Sequence, residues 1–150
     1  MRNKRQREKT HRTAGAILKQ VLADAAIEDP ARYQKIVKGF HGKIARVLFE
    51  DSNEEFHVRG DDLGISVVVR QPTKAINIKI TLSREVISNI LRGQETPVEA
   101  FFLGHLRAEG STNDLYQLHR LFISMAEIAV RSERMHATVE ELTEATVRGQ

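Results

Sequence analysis

The stretch Ile80–Val130, ITLSREVISNILRGQETPVEAFFLGHLRAEGSTNDLYQLHRLFISMAEIAV, decides the fold. Near its start Ser83 can accept the first free amides of a helix, and Leu82 can staple onto Ile87. Gly93 supplies the left-handed residue that ends this helix. Thr96-Pro97-Val98-Glu99 forms a capping box with proline at the first helical position, and the apolar run Ala100-Phe101-Phe102-Leu103 stops at Gly104. His105 to Gly110 is too short for another helix and is predicted to be a strand closed by a glycine turn. Ser111 or Thr112 then caps a long helix.

In that helix Leu115, Leu118, Phe122, Met125 and Ala129 fall at helical spacing, while Leu121, Ile123, Ala126, Ile128 and Val130 widen the apolar stripe almost to the full circumference. From Leu121 to Val130 only Ser124 and Glu127 are polar. Such a segment needs apolar material on two sides, and one sheet face supplies only the first. The second is expected from a ligand, another helix or a second subunit.

The order and spacing of these parts resemble the sterol carrier protein type two family. The matching elements are Thr81-Leu82-Ser83 and Arg92-Gly93, then Pro97 to Gly104, Leu106 to Gly110, and Asp114 to Phe122. The resemblance implies an α+β fold in which helices cover one face of a five-stranded, mainly antiparallel sheet. It also implies a cavity for sterols, fatty acyl chains, acyl-CoA or isoprenoids. The run from Phe101-Phe102 to Glu109-Gly110 is further similar to the sterol-carrier-like domains of ubiquinone accessory proteins.

Outward from this stretch, the residues before it change period once, from helical to alternating. Thr13 can cap a helix in which Ala14, Ile17, Leu18, Val21, Leu22 and Ala25 follow the helical template, and Asp29-Pro30 ends it and starts another. Tyr33, Ile36, Val37 and Phe40 continue that second helix until Gly39 and Gly42 end the helical region. Four short β-branched segments follow, at Lys43 to Glu50, Glu55 to Gly60, Leu63 to Arg70 and Lys74 to Leu82. Their short connections predict an antiparallel meander. In the last of them Ile76, Ile78, Ile80 and Leu82 alternate with polar residues, giving one dry face. Beyond Val130, Thr138-Val139-Glu140-Glu141 reads as a capping box, with Met135, Val139 and Leu142 on one face of a docked terminal helix.

A chain of 150 residues with 41% hydrophobic content can bury one core without staples. It holds no cysteine, which excludes disulfides, a thiolate nucleophile and cysteine metal sites, and its apolar runs fall short of the roughly 18 residues of a membrane span. A soluble, cytoplasmic protein is expected. The net charge of +3 is uneven, because residues 1–12 carry six Lys or Arg against one Glu, while the remainder is net −2. The expected organisation is a basic arm at 1–12, a sterol-carrier-like domain at 13–132 and a helical extension at 133–150. The arm offers peripheral contact with an anionic membrane, whereas few aromatic residues and no recognition motif argue against nucleic acid.

Gly39-Phe40-His41-Gly42-Lys43 has the wrong glycine spacing for a phosphate loop, and Ile44 stands where Ser or Thr would bind magnesium. The histidines at 11, 41, 57, 105, 119 and 136 form no metal-ligand pair, and no nucleophile elbow is present. Glu109 and Asp114 flank the glycine turn, but capping explains Asp114 more simply than acid–base work.

The expectation is therefore a carrier of an apolar small molecule, with no catalytic group, cofactor or metal. Phe101, Phe102, Leu103, Leu106, Leu118, Phe122 and Met125 are expected to line its cavity, with Ile78 and Ile80 of the dry sheet face. Alternatives are an accessory factor or small enzyme of a ubiquinone-type or polyketide-type pathway, the latter working through His105 or His57, and a homodimer filling the same apolar surface.

Overall fold

The computed structural model describes residues 12–70 and 72–148, with side chains to Glu144; apart from Arg12, the basic arm lies outside the described residues. Two helices lead, α1 (Ala14–Glu28) and α2 (Pro30–Phe40), followed by strands β1 (Ile44–Phe49), β2 (Glu54–Asp61), β3 (Gly64–Val68) and β4 (Ile78–Leu82). Then come α3 (Arg84–Leu91), α4 (Pro97–Phe102), β5 (Arg107–Glu109), α5 (Thr112–Ala129) and α6 (Glu133–Arg148).

The caps fall where local chemistry puts them. Thr13, Asp29, Ser83 and Ser111 each accept an amide of the helix that follows, and Thr96 and Glu99 close a reciprocal capping box. Gly93 and Gly104 take φ of +75° and +78°, which a Cβ would oppose.

The sheet order is β3-β2-β1-β4-β5, which corrects the meander. β1 pairs antiparallel with β2, and β2 with β3, but β4 lies parallel to β1 on its other side, with Ala45 opposite Ile78 and Phe49 opposite Leu82. β5 closes the far edge antiparallel to β4. A parallel neighbour needs a long return connection, and the whole β2–β3 hairpin plus residues 69–77 provides it. Lys74 to Asn77 accordingly belong to this crossover rather than to a strand. The Asn77 N–H donates to the Ile44 carbonyl, and Asn77 Oδ1 accepts the Ile44 N–H, which fixes where β4 begins.

With this register, Ala45, Val47, Phe49, Phe56, Ile78, Ile80 and Leu82 are buried beneath the helices. Phe49 and Phe56 stack with ring centroids 5.6 Å apart.

α6 packs on α1 and α3, burying Met135, Val139 and Leu142 as its spacing predicts. Its cap differs from expectation. The helix starts after Ser132, whose hydroxyl accepts the Met135 N–H, and Thr138 lies one turn inside, donating instead to buried Asp24 of α1 at 3.0 Å.

Arg84, only 4% exposed, is the polar hub beneath α6. Its Nε donates to Glu54 Oε1 at 3.1 Å, and its two terminal nitrogens reach the Leu142 and Arg12 carbonyls at 3.4 and 3.3 Å. Glu54 also accepts the Ala14 N–H at 2.7 Å, so one carboxylate serves both the buried cation and the start of α1. Burial raises the pKa of this carboxyl, but the neighbouring Ser52 hydroxyl, the Arg84 guanidinium and the Ala14 amide outweigh it and hold the group below its usual value.

Candidate functional site

The helices do not close completely on the sheet. An interior cavity of about 80 Å³ lies between α1, α3 and α5 above and the dry sheet face below. Every residue lining it is apolar: Leu18, Val21 and Leu22 from α1, Val47, Phe49, Val58, Val67, Ile80 and Leu82 from the sheet, and Leu118, Leu121, Phe122 and Met125 from α5 complete most of the wall. Among the described residues α6 contributes none to it. The broad apolar stripe of α5 thus has its second side satisfied by α3, α2 and this void.

A larger groove of about 310 Å³ lies on the outer side of α5, bordered by Pro97, Val98, Phe101, Phe102, Leu106, Ala108, Leu115 and Tyr116. Leu118 and Phe122 line both spaces, so their side chains form the partition between cavity and groove. Phe101 and Phe102 pack edge to face, 5.8 Å apart, and remain 50% and 81% exposed.

The residues expected to line one cavity therefore divide. Ile80, Leu118, Phe122 and Met125 line the interior space, whereas Phe101, Phe102 and Leu106 border the groove. Leu103, 66% exposed, borders neither, and Ile78 is fully buried outside both. Pattern reading did not single out Leu18, Val21, Val47, Val58 or Leu121 as lining. The signal was present in their helical or alternating spacing, which marks an inward face without saying whether it is filled.

The polar candidates lie elsewhere. His57 sits on the sheet face away from the helices, since Phe56 and Val58 on either side of it face inward. It is 6% exposed, and its Nδ1 has no hydrogen-bond partner among the described residues. His105 Nδ1 meets Glu95 Oε1 at 2.8 Å on the surface. Asp114 is held by Lys43, and its backbone N–H donates to the hydroxyl of Ser111, the cap of α5; the Lys43 ammonium lowers the Asp114 pKa below the usual carboxylate value. Neither histidine borders the cavity or the groove; His119 does border the groove. Among the described residues no group of three or more His, Asp or Glu side chains is placed to hold a metal, and no helix is long and apolar enough to cross a membrane.

Helices laid on one face of a mixed five-stranded sheet, with an apolar void between them, define a small α+β domain. The chain belongs to the SCP-2 sterol transfer family, whose model matches residues 18–122. That family binds apolar lipid ligands.

Solved structures agree on the fold. The "UbiJ-SCP2 Ubiquinone synthesis protein" superposes with a TM-score of 0.57 at 15% identity, covering 77% of this chain and 94% of that one. The sterol carrier protein domain 2 of Helicoverpa armigera gives 0.55 at 18% identity, covering 73% and 86%. The apo form of Sterol Carrier Protein 2 from Yarrowia lipolytica gives 0.53 at 14%, covering 82% and 99%. A comparison with curated proteins finds no match.

Proposed function

We propose that this domain binds the hydrocarbon part of a lipid between α5 and the sheet, and carries it without changing it chemically. The observation behind this reading is the wholly apolar lining of the interior cavity, with a larger apolar groove one partition away. About 80 Å³ alone is well short of the roughly 300–1,000 Å³ of ordinary ligand sites, but the groove beyond Leu118 and Phe122 makes up the difference. Rotation of these two side chains joins the spaces. Each methylene then removed from water stabilises the complex by about 0.8 kcal/mol, so affinity needs no catalytic or charged group. Met125 adapts the wall to differing tail shapes through its flexible thioether.

A second reading is favoured by the likeness to the UbiJ-SCP2 ubiquinone synthesis protein. In it the same cavity presents a lipophilic intermediate to the enzymes of a biosynthetic pathway.

Native mass spectrometry of the purified chain, followed by organic extraction, tests both. A co-purified acyl lipid supports the carrier and a quinone precursor supports the accessory role. In parallel, Leu118→Trp fills the partition and is expected to weaken Nile red uptake about tenfold, or 1.4 kcal/mol. A wild-type protein that takes up neither lipid nor dye overturns the proposal.

A further inference from the structure

α2 and α5 lie against each other along an antiparallel seam. An ion pair closes it at each end: Arg32 with Glu127 at one, Lys43, just past α2, with Asp114 at the other. Between them the helices part into a cleft of about 190 Å³, bordered by Lys35, Gly39, Gln117, Arg120, Leu121 and Ser124. Its two charged side chains are both cations.

The acids at the two ends of the seam are already engaged, Glu127 and Asp29 by Arg32 and Asp114 by Lys43. Neither Lys35 nor Arg120 forms an ion pair among the described residues; the Arg120 guanidinium lies 6.0 Å from the Tyr116 ring centroid. Two like charges sharing a cleft repel, and a small anion between them would reverse the sign of that interaction. The Gln117 amide and the Ser124 hydroxyl add neutral hydrogen-bonding groups. Gly39 keeps the space open, because a Cβ there would come within 2.8 Å of Gln117 Oε1.

Leu121 borders this cleft and the interior cavity alike, so polar and apolar spaces are one side chain apart. We infer that the cleft is the headgroup port of the cavity, and that the ligand is an amphiphile whose carboxylate or phosphate lies between Lys35 and Arg120 while its tail passes Leu121. The inference rests on the cavity reading above and adds to it a direction of binding and a charge on the guest.

Displacement of Nile red from the full chain by oleate, oleyl phosphate and oleyl alcohol, each below its micelle concentration, tests it. At least one of the anions is expected to bind about tenfold tighter than the alcohol, and the stronger anion distinguishes carboxylate from phosphate. The double variant Lys35→Gln with Arg120→Gln removes that preference while leaving the alcohol within about twofold, and Lys35→Arg with Arg120→Lys restores it. Equal binding of all three probes to the wild type, or an equal loss of all three in the glutamine variant, overturns the port and leaves the cavity standing. Failure of every probe to displace the dye removes the cavity reading, and the port with it.

Discussion

Thr138 of α6 donates its hydroxyl to Asp24 Oδ2 of α1 at 3.0 Å, joining two buried side chains from opposite ends of the chain. The other carboxylate oxygen accepts from Gln20 Nε2 at 2.8 Å. Thr138→Val keeps the shape and removes the donor, leaving one buried oxygen without a partner. The expected cost is about 1–3 kcal/mol, measured by urea unfolding at neutral pH. A change of only a few tenths would show that water replaces the hydroxyl.

Glu54 and Arg84 make the domain sensitive to acid. Because the folded Glu54 carboxyl lies below its usual pKa, the native state binds fewer protons than the unfolded chain in that range, and its contribution is fully present above the unfolded value near 4. It is lost as pH falls through the lower, folded value; Asp114, held down by Lys43, acts in the same window. Urea midpoints are expected to stay level from neutrality to about pH 5 and to fall below pH 4, more shallowly in Glu54→Gln. Glu54→Ala strands the buried guanidinium and is expected to cost about 3–5 kcal/mol at pH 7.

Leu142 of α6 is fully buried against α1 and α3 yet borders neither the cavity nor the groove. Leu142→Ala is therefore expected to lose about 2–5 kcal/mol of stability while Nile red affinity changes less than about twofold. Calorimetry and dye titration on one sample separate the two effects. A large loss of affinity without a loss of stability would make α6 part of the ligand path.

Gly60 tolerates no side chain. A Cβ there would stand 2.1 Å from the Phe40 carbonyl oxygen, a backbone atom at the end of α2 that cannot swing aside. Gly60→Ala is expected to destabilise by at least about 3 kcal/mol, beyond ordinary overpacking, as read from the thermal midpoint. Gly42→Ala, next to open space but at φ +77°, should cost about 1 kcal/mol.

The helix boundaries were legible because capping is local: Ser83, Thr96 and Ser111 each satisfy amides within three residues. The inward face of β4 was legible too, from Ile78, Ile80 and Leu82. The partner of β4 was not, since alternation tells which face is dry without telling which strand lies alongside, and the pairing with β1 depends on where Asn77 meets Ile44. Thr138 misled for a related reason. Its motif fits a cap, but the tertiary demand of Asp24 for a donor and the availability of Ser132 one turn earlier moved the start. Of the candidate site, the α5 residues were readable from their excess of apolar neighbours. The partition at Leu118 and Phe122 was not, because it depends on how closely α4 approaches α5.

Arg84 grips the carbonyls of Arg12 and Leu142 with two nitrogens of one guanidinium, so residues 12 and 142 are near neighbours. The backbone from 12 to 142 is thus almost a closed ring. A short linker between these positions, with a new break at the exposed turn around Asn53, would give a circularly permuted chain with the same sheet order and the same void.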